Sequence, residues 1–290
     1  MNLGKATQRT LARKRKDRIF TQLCFAATAI GVLLLVVLLW KIVTDGIGHL
    51  NWNFIVSMPS YFAKRAGILS ALVGSFYIVV LTALISAPVG VLAAIYLEEY
   101  TSRKSRIGQF IDINIANLSG VPSIVYGLLG LAVFVRWLAL DRSILSGSLT
   151  MSLLVLPMVI IAAREAIRAV PDSIRQGSLA LGATKWQTIR RQVLPSAAPG
   201  ILTGVILSLS RAIGETAPLI VVGAVGYTTG LPKNLRDSFM VMPLQIYGWT
   251  SRPETAFHEI AATAIIVLMA LLLVLNSAAI ILRQRSQKRR

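Results

Sequence analysis

Six stretches of this sequence are apolar over about twenty residues or more, and this segmentation decides what the chain can fold into. They cover residues 19–40, 66–97, 113–135, 143–163, 197–221 and 260–282. A helix of about 20 residues spans the ~30 Å hydrocarbon core of a bilayer. A helix also satisfies its own backbone hydrogen bonds where no water is available. The sequence therefore predicts an all-α integral membrane protein with six transmembrane helices.

Composition agrees with this class. Apolar residues make up 55% of the chain and charged residues only 14%, which is too apolar for a soluble domain of 290 residues. The net charge of +18 would indicate nucleic acid in a soluble protein. In a membrane protein it reflects the basic residues that collect in cytoplasmic loops, so no nucleic-acid partner is expected. The single cysteine, Cys24, excludes a disulfide framework.

The distribution of Lys and Arg predicts the orientation. With the amino terminus inside, the predicted inside segments hold 21 of these residues and the outside segments hold 8. Both termini are therefore expected in the cytoplasm, with membrane lipid around the spans. We expect the chain to divide into four parts. These are a basic tail (1–18), a first span with its external segment (19–65), a core of five spans that contains a cytoplasmic loop at 164–195 (66–283), and a second basic tail (284–290).

The loop at 164–195 carries the local patterns of two short helices. Ser173 with Gln176, and Thr184 with Gln187, each have the spacing of a capping box. Gly182 stands between them, where a glycine ends a first helix. We expect helices at about 174–181 and 185–193, with Pro195 ending the second.

One apolar stripe follows helical spacing across both pieces of the loop. It consists of Leu179, Ala183, Trp186, Ile189 and Val193. Such a basic amphipathic segment can lie on the lipid surface or bind a partner protein, and periodicity alone does not separate the two.

Two opposite charges, Arg211 and Glu215, stand inside the fifth apolar stretch. On a continuous helix they would share a face. A charge near the bilayer centre costs about 2.5–3.5 kcal/mol, so both should face the bundle interior or a wet cavity. One interpretation is a structural ion pair. The other is an arginine exposed to a translocating anion, with the carboxylate moderating its affinity.

Four neutral polar residues lie near this pair or in the third apolar stretch. Such side chains often bond between helices, but they could also supply hydrogen bonds along the same pathway. They are Thr216, Asn117, Ser119 and Ser123.

The loop also carries a motif spacing that resembles the permease subunits of bacterial ABC importers. It matches at Gly182 and at Leu194-Pro195. It departs at residues 176–178, where Gln-Gly-Ser replaces Glu-Ala-Ala, and at Gln192, which stands at the Ile position of the motif. Longer segments of the sequence are similar to the phosphate-importer permeases in particular. The similar segments are REAIRAVPDSIR (164–175), LGATKWQTIRR (181–191), PGILTG (199–204), RAIGETAP (211–218) and GVPSIVYG (120–127).

This resemblance implies a type I ABC importer permease that moves phosphate and pairs with a second permease chain, two ATPase subunits and an external phosphate-binding protein. The sequence has no Gly-x4-Gly-Lys-Ser/Thr loop, which agrees with ATP hydrolysis on a separate chain. No catalytic residue, cofactor or metal is expected. The residues implied to contact the ATPase are Gln176, Gly177, Ser178, Leu179, Gly182, Ala183, Trp186, Leu194 and Pro195.

Three alternatives stay open. The substrate could be another oxyanion, such as phosphonate, sulfate or molybdate. The chain could be a secondary transporter driven by an ion gradient, although such proteins usually show internal repeats and discontinuous helices, and no repeat is evident. It could also relay phosphate availability to a kinase as an added role.

Overall fold

The computed structural model describes residues 3–101, 105–224 and 230–288, and within these ranges the regular structure is entirely helical. The long helices are α1 (Leu3–Gly46), α3 (Leu69–Ile95), α6 (Ile144–Arg168), α9 (Leu194–Ile213) and α12 (Thr255–Lys288). The shorter ones are α2 (Trp52–Val56), α4 (Arg106–Ser119), α5 (Ser123–Gly130), α7 (Asp172–Ala180), α8 (Lys185–Thr188), α10 (Ala217–Val222) and α11 (Met242–Thr250). π-Helical turns extend α3 through Tyr96–Tyr100, extend α5 through Leu131–Trp137 and connect α8 to α9 through Ile189–Val193.

Five helical segments in the described ranges are long and apolar enough to cross a membrane, and α4 with α5 forms a bent pair that makes a sixth candidate. The first, second, fourth and sixth predicted spans are confirmed as helices. The first begins earlier than its apolar stretch, because α1 already starts at Leu3 within the basic tail.

The third and fifth predicted spans are not straight helices. The axes of α4 and α5 with its π-helical extension differ by 100° across a break at Gly120–Pro122. The expected helix over 197–221 ends at Ile213 and resumes at Ala217. The first break contains Pro122, and the second break lies just before Pro218. Proline has no N–H to donate to the helical hydrogen-bond ladder.

The core is formed where α6 packs against α3 and α9. Small residues let these helices approach closely, as is common between membrane helices. A Cβ on Gly90 of α3 would meet Val159 of α6, and one on Gly204 of α9 would meet Ala162 of α6. The cluster continues to the start of α9, where Ile189 and Val193 are buried.

In contrast, α1 lies at the periphery. The most apolar part of the segment Lys16–His49 is not buried at all within this chain. Near its end, the Thr263 hydroxyl of α12 donates a hydrogen bond of 2.8 Å to the carbonyl of Gly46. An apolar helix segment that is exposed over its most apolar part is suited to contact lipid or another membrane protein.

The close approach at Gly74 generates a stability prediction. A Cβ there would overlap the carbonyl oxygen of Met240, whereas one on Gly31 of α1 would meet no described atom within 4 Å. Gly74→Ala should therefore destabilise the fold by about 1–3 kcal/mol through overpacking. Gly31→Ala should leave the melting temperature in detergent unchanged or slightly raised. Equal melting temperatures for the two variants would contradict this account of the α3 contact.

Candidate coupling loop and transport pathway

The loop between α6 and α9 folds as helix, glycine turn and helix, as predicted. The Thr184 hydroxyl accepts a hydrogen bond of 3.3 Å from the Gln187 amide, and the Gln187 side-chain oxygen accepts one of 2.8 Å from the Thr184 amide. These reciprocal bonds complete the expected capping box. Gly182 has a φ of +82°, which confirms its left-handed turn after α7.

Two local predictions for this loop are wrong. Ser173 does not cap α7, because the helix begins at Asp172 with Pro171 before it, and no side-chain cap bond is found at this described terminus. Pro195 does not end the second helix. Lys185–Ile213 forms one continuous helical segment. The π-turn before Pro195 makes this possible: the Leu194 amide donates to Ile189, five residues back, and Pro195 needs no partner of its own.

The predicted apolar stripe divides into two parts. Ile189 and Val193 are buried in the core, so this half fixes the loop to the spans. Leu179 and Trp186 are 49% and 50% exposed, and Leu181, which the stripe did not include, is 90% exposed. We call Leu179, Leu181 and Trp186 the apolar tip. Each of these apolar side chains leaves about half or more of its surface uncovered within the described chain, which is the property expected of a docking surface.

The other predicted loop residues occupy different environments. Gln176 and Gly177 are exposed on α7, whereas Leu194 packs against the core and Pro195 is exposed on the continuous helix. Ser178 binds the Thr188 hydroxyl at 2.9 Å, which ties α7 to α8. The two helices border a cleft of about 480 Å³ whose lining includes Ile174, Leu181, Ala183 and Gln187.

The two intramembrane charges are not arranged as predicted. Arg211 is exposed in the last turn of α9, and Glu215 lies beyond the helix end in the break before α10. The helix stops at Ile213, so four-residue spacing no longer places them on one face. Both residues lie in the described part of the chain, and no ion pair joins them. The interpretation as a structural ion pair is therefore not supported.

The predicted neutral residues lie at the two breaks. Asn117 and Ser119 are exposed at the end of α4, Ser123 begins α5, and Thr216 precedes α10. The Ser119 hydroxyl donates to the Ala116 carbonyl at 2.7 Å. All six predicted pathway side chains lie in the described ranges, and none of them hydrogen-bonds another.

The structure brings the half-helices after the two breaks into contact. A Cβ on Gly127 of α5 would lie 2.8 Å from the Cα of Pro218 in α10, so only a glycine permits this approach without a shift. The Tyr126 hydroxyl donates to the Leu118 carbonyl at 2.8 Å and satisfies one backbone group at the first break. Nothing in the spacing of these segments along the sequence predicts the contact.

Interrupted helices have a physical consequence in a membrane-spanning bundle. Irregular backbone is tolerated at membrane depth only where it is buried in protein or lines a water-filled cavity. Exposed ionisable side chains obey the same restriction. The exposed polar side chains at the two breaks, Arg211 at one and Asn117 and Ser119 at the other, are therefore unsuited to lipid and suited to line a polar path.

Sequence reasoning also missed polar contacts between distant segments. The Ser210 hydroxyl donates to the Asn276 side-chain oxygen at 2.7 Å and joins α9 to α12. On the side of the coupling loop, three arginines of residues 164–175 bind three carboxylates of residues 98–112. The four-residue spacing of Arg164 and Arg168 was the only local indication of a shared charged face.

The chain is a bundle of apolar helices, of which two are interrupted, and an exposed loop connects two of the spans. These features are those of a polytopic membrane protein of the transporter type. The chain matches the family described as binding-protein-dependent transport system inner membrane component over residues 86–289. It belongs to that family, and its place is the inner membrane.

Curated relatives carry related descriptions. The chain is 35% identical to "Phosphate transport system permease protein PstA 1" of Mycobacterium tuberculosis strain H37Rv, with 97% of this chain and 92% of that protein covered. It is 31% identical to the PstA protein of Haemophilus influenzae, over 91% of this chain and 92% of that protein. It is 36% identical to "Probable ABC transporter permease protein YqgI" of Bacillus subtilis, over 76% of this chain and 72% of that protein.

Solved structures agree on the fold. The MetNI methionine ABC transporter in an inward-facing conformation matches with a TM-score of 0.60 at 18% identity, over 76% of this chain and 94% of that one. A bacterial alginate ABC transporter, in complex with a pentasaccharide-bound periplasmic protein, matches with a TM-score of 0.63 at 16% identity, over 91% and 94%. The chain has the fold of ABC importer permeases.

The capping box supplies a local test of the loop. Thr184→Ala removes a cap that is worth about 1 kcal/mol and should loosen the start of α8. Hydrogen–deuterium exchange of the peptide that covers residues 184–193 should become several-fold faster, since about 1.4 kcal/mol corresponds to tenfold. Ser173→Ala is the matched control and should leave exchange in α7 unchanged. Equal exchange in the two variants would show that the box does not hold the loop.

Proposed function

We propose that this chain is a PstA-type permease subunit of an ATP-driven importer and that it translocates inorganic phosphate across the cytoplasmic membrane. The observation that carries the proposal is its identity of 35% over 97% of its length to a phosphate transport permease. The exposed Arg211 beside the helix break fits the same substrate, because an arginine donates paired hydrogen bonds to a tetrahedral oxyanion.

The proposed pathway lies at the two helix breaks. Arg211 would attract the anion, and Glu215, which is close in sequence but unpaired with it, would limit the affinity so that the ion can leave. Asn117, Ser119 and Ser123 on one side, and Thr216 on the other, would offer neutral hydrogen bonds. A second permease chain of the PstC type would cover this face and close the path.

The coupling loop is proposed to bind a separate ATPase. Its apolar tip stands out from the body among exposed basic residues, including Lys185 and Arg190. A groove on a PstB-like ATPase pair would cover Leu181 and Trp186, while lipid is the alternative occupant. An external PstS-like protein would deliver phosphate on the opposite side. With both termini cytoplasmic, the loop and the basic tails share the ATPase side.

A continuous helix connects the two proposed devices. From Lys185 to Arg211 it extends about 40 Å at ~1.5 Å per residue. A displacement of the loop when the ATPases close would therefore move Arg211 along one rigid element. This supports alternating access driven from the cytoplasmic side.

Discontinuous helices were expected to distinguish a secondary transporter from an ATP-driven one. The described chain has two such breaks, after α4 and after α9, so this feature does not separate the two classes of transporter. The discrimination is experimental. Uptake by the ATP-driven importer should stop when the ATPase partner is omitted from proteoliposomes and should survive collapse of the membrane potential. The opposite pattern would identify a gradient-driven transporter. Competition by sulfate, molybdate or phosphonate would identify a different oxyanion.

The role of Arg211 has a direct test. Arg211→Ala should reduce phosphate uptake to background in proteoliposomes with the complete transporter, because the path loses its only positively charged group among the six proposed residues. Co-purification of the ATPase through the variant chain should be unchanged. Arg236→Ala, which removes an exposed arginine from the external loop, is the control and should transport normally. Normal uptake by Arg211→Ala would end the proposed role.

A further inference from the structure

Arg175 links the first helix of the coupling loop to the body of the protein. Its guanidinium binds the Glu99 carboxylate at 2.9 and 3.0 Å. It also donates to the carbonyls of Val170 at 2.6 Å and Ile167 at 2.9 Å, which lie at the end of α6. One side chain of α7 thus holds the end of α6 and the π-turn after α3 together.

The neighbouring acid, Glu98, continues the connection. Arg168 binds it with two bonds of 3.1 and 3.0 Å. Arg164 approaches it at 3.6 Å and also binds both oxygens of Asp112 on α4. Glu98 and Glu99 are consecutive in the π-turn Tyr96–Tyr100, so one short segment receives arginines from α6 and α7.

The members at the centre of this network are less exposed than those of ordinary surface ion pairs. The side chains of Glu98 and Glu99 are only 7% and 9% exposed, and Arg164 is 13% exposed. Exposed pairs contribute little, but removal of one partner from a largely buried pair leaves an uncompensated charge. Paired bonds to a planar guanidinium also fix the relative orientation of the groups. Buried, paired links of this kind can transmit displacement between the helices they join, and Asp112, which is 44% exposed, forms the outer end of the network.

We infer that this arginine–carboxylate network is a second route by which the coupling loop moves the pathway, with Arg175 as its positioning residue. The first route is the continuous helix from α8 to Arg211. The second runs from α7 through Glu99 and Glu98 to α6 and then through Arg164 to Asp112. The inference rests on the proposed coupling function.

The second route ends at the opposite side of the pathway. Asp112 lies on α4, seven residues before Ser119, or about 10 Å along the helix. The break at Gly120–Pro122 follows directly. Movement of α7 would thus shift Asn117 and Ser119, while movement of α8 shifts Arg211. Both sides of the path would respond to one event at the loop.

The test compares two carboxylates that bind the same arginine. Glu99→Gln removes the largely buried partner of Arg175, and Asp172→Asn removes a partner that is 84% exposed and 3.1 Å away. In the complete transporter in proteoliposomes, Glu99→Gln should lower phosphate moved per ATP hydrolysed by roughly 2- to 30-fold, the usual range for altered coupling. Its ATPase rate should stay near that of the unmodified protein, and Asp172→Asn should keep the normal ratio.

A merely structural role gives a different result. Assembly, ATPase rate and transport would then fall together in Glu99→Gln, with the ratio unchanged, and this outcome would overturn the inference. If Glu99→Gln fails to assemble, Arg175→Lys decides, since it keeps the charge but not the paired bonds. It should also lower the ratio; a normal ratio or failed assembly would again overturn the inference. A preparation whose unmodified protein moves no phosphate contradicts the proposed function instead.

Discussion

The hydrocarbon core of a bilayer offers no water to a polar group, and the architecture of this chain follows from that constraint. Long apolar helices satisfy their backbone internally and form most of the bundle. Where α4 and α9 stop, the freed backbone and the nearby polar side chains need protein or trapped water. The contact between Gly127 and Pro218 packs the two half-helices that follow. The same constraint makes the exposed polar residues at the breaks, including Arg211, the best candidates to line a path.

The proposed coupling depends on how firmly the loop is attached to the spans. Ile189 and Val193 are buried, and the helix continues through Pro195, so α8 cannot move without α9. By contrast, α7 has no helical continuity with α9 and is held by the contacts of Arg175 and Ile174 with the body and by the Ser178–Thr188 hydrogen bond with α8. The exposed apolar tip lies across both helices. A partner that displaced the apolar tip would therefore move α9 through the continuous helix and α6 through the contacts of Arg175 at the same time.

Local features of the sequence predicted local features of the fold. Four of the six spans, the capping box at Thr184 and the turn at Gly182 depend on patterns within a few residues, and the structure confirms them. The same capping pattern at Ser173 failed because Pro171 sets the helix start. Pro195 was expected to end a helix, but the π-turn before it removes the conflict. A proline such as Pro122 is compatible with a break, but the 100° angle between α4 and α5 depends on packing between distant segments. The charged network was equally invisible, since Glu99 and Arg175 are 76 residues apart.

The central claim is that the face at the helix breaks lines an aqueous path rather than lipid, and substituted-cysteine labelling tests it directly. In a Cys24→Ser background, Asn117→Cys and Leu34→Cys would each be placed in the complete transporter in a bilayer. Leu34 is the control because it is exposed on α1 among apolar residues. A membrane-impermeant thiol reagent should label Asn117→Cys in at least one of two states, with ATP or without it, and leave Leu34→Cys unmodified in both. Labelling of Asn117→Cys as low as that of Leu34→Cys would contradict the account.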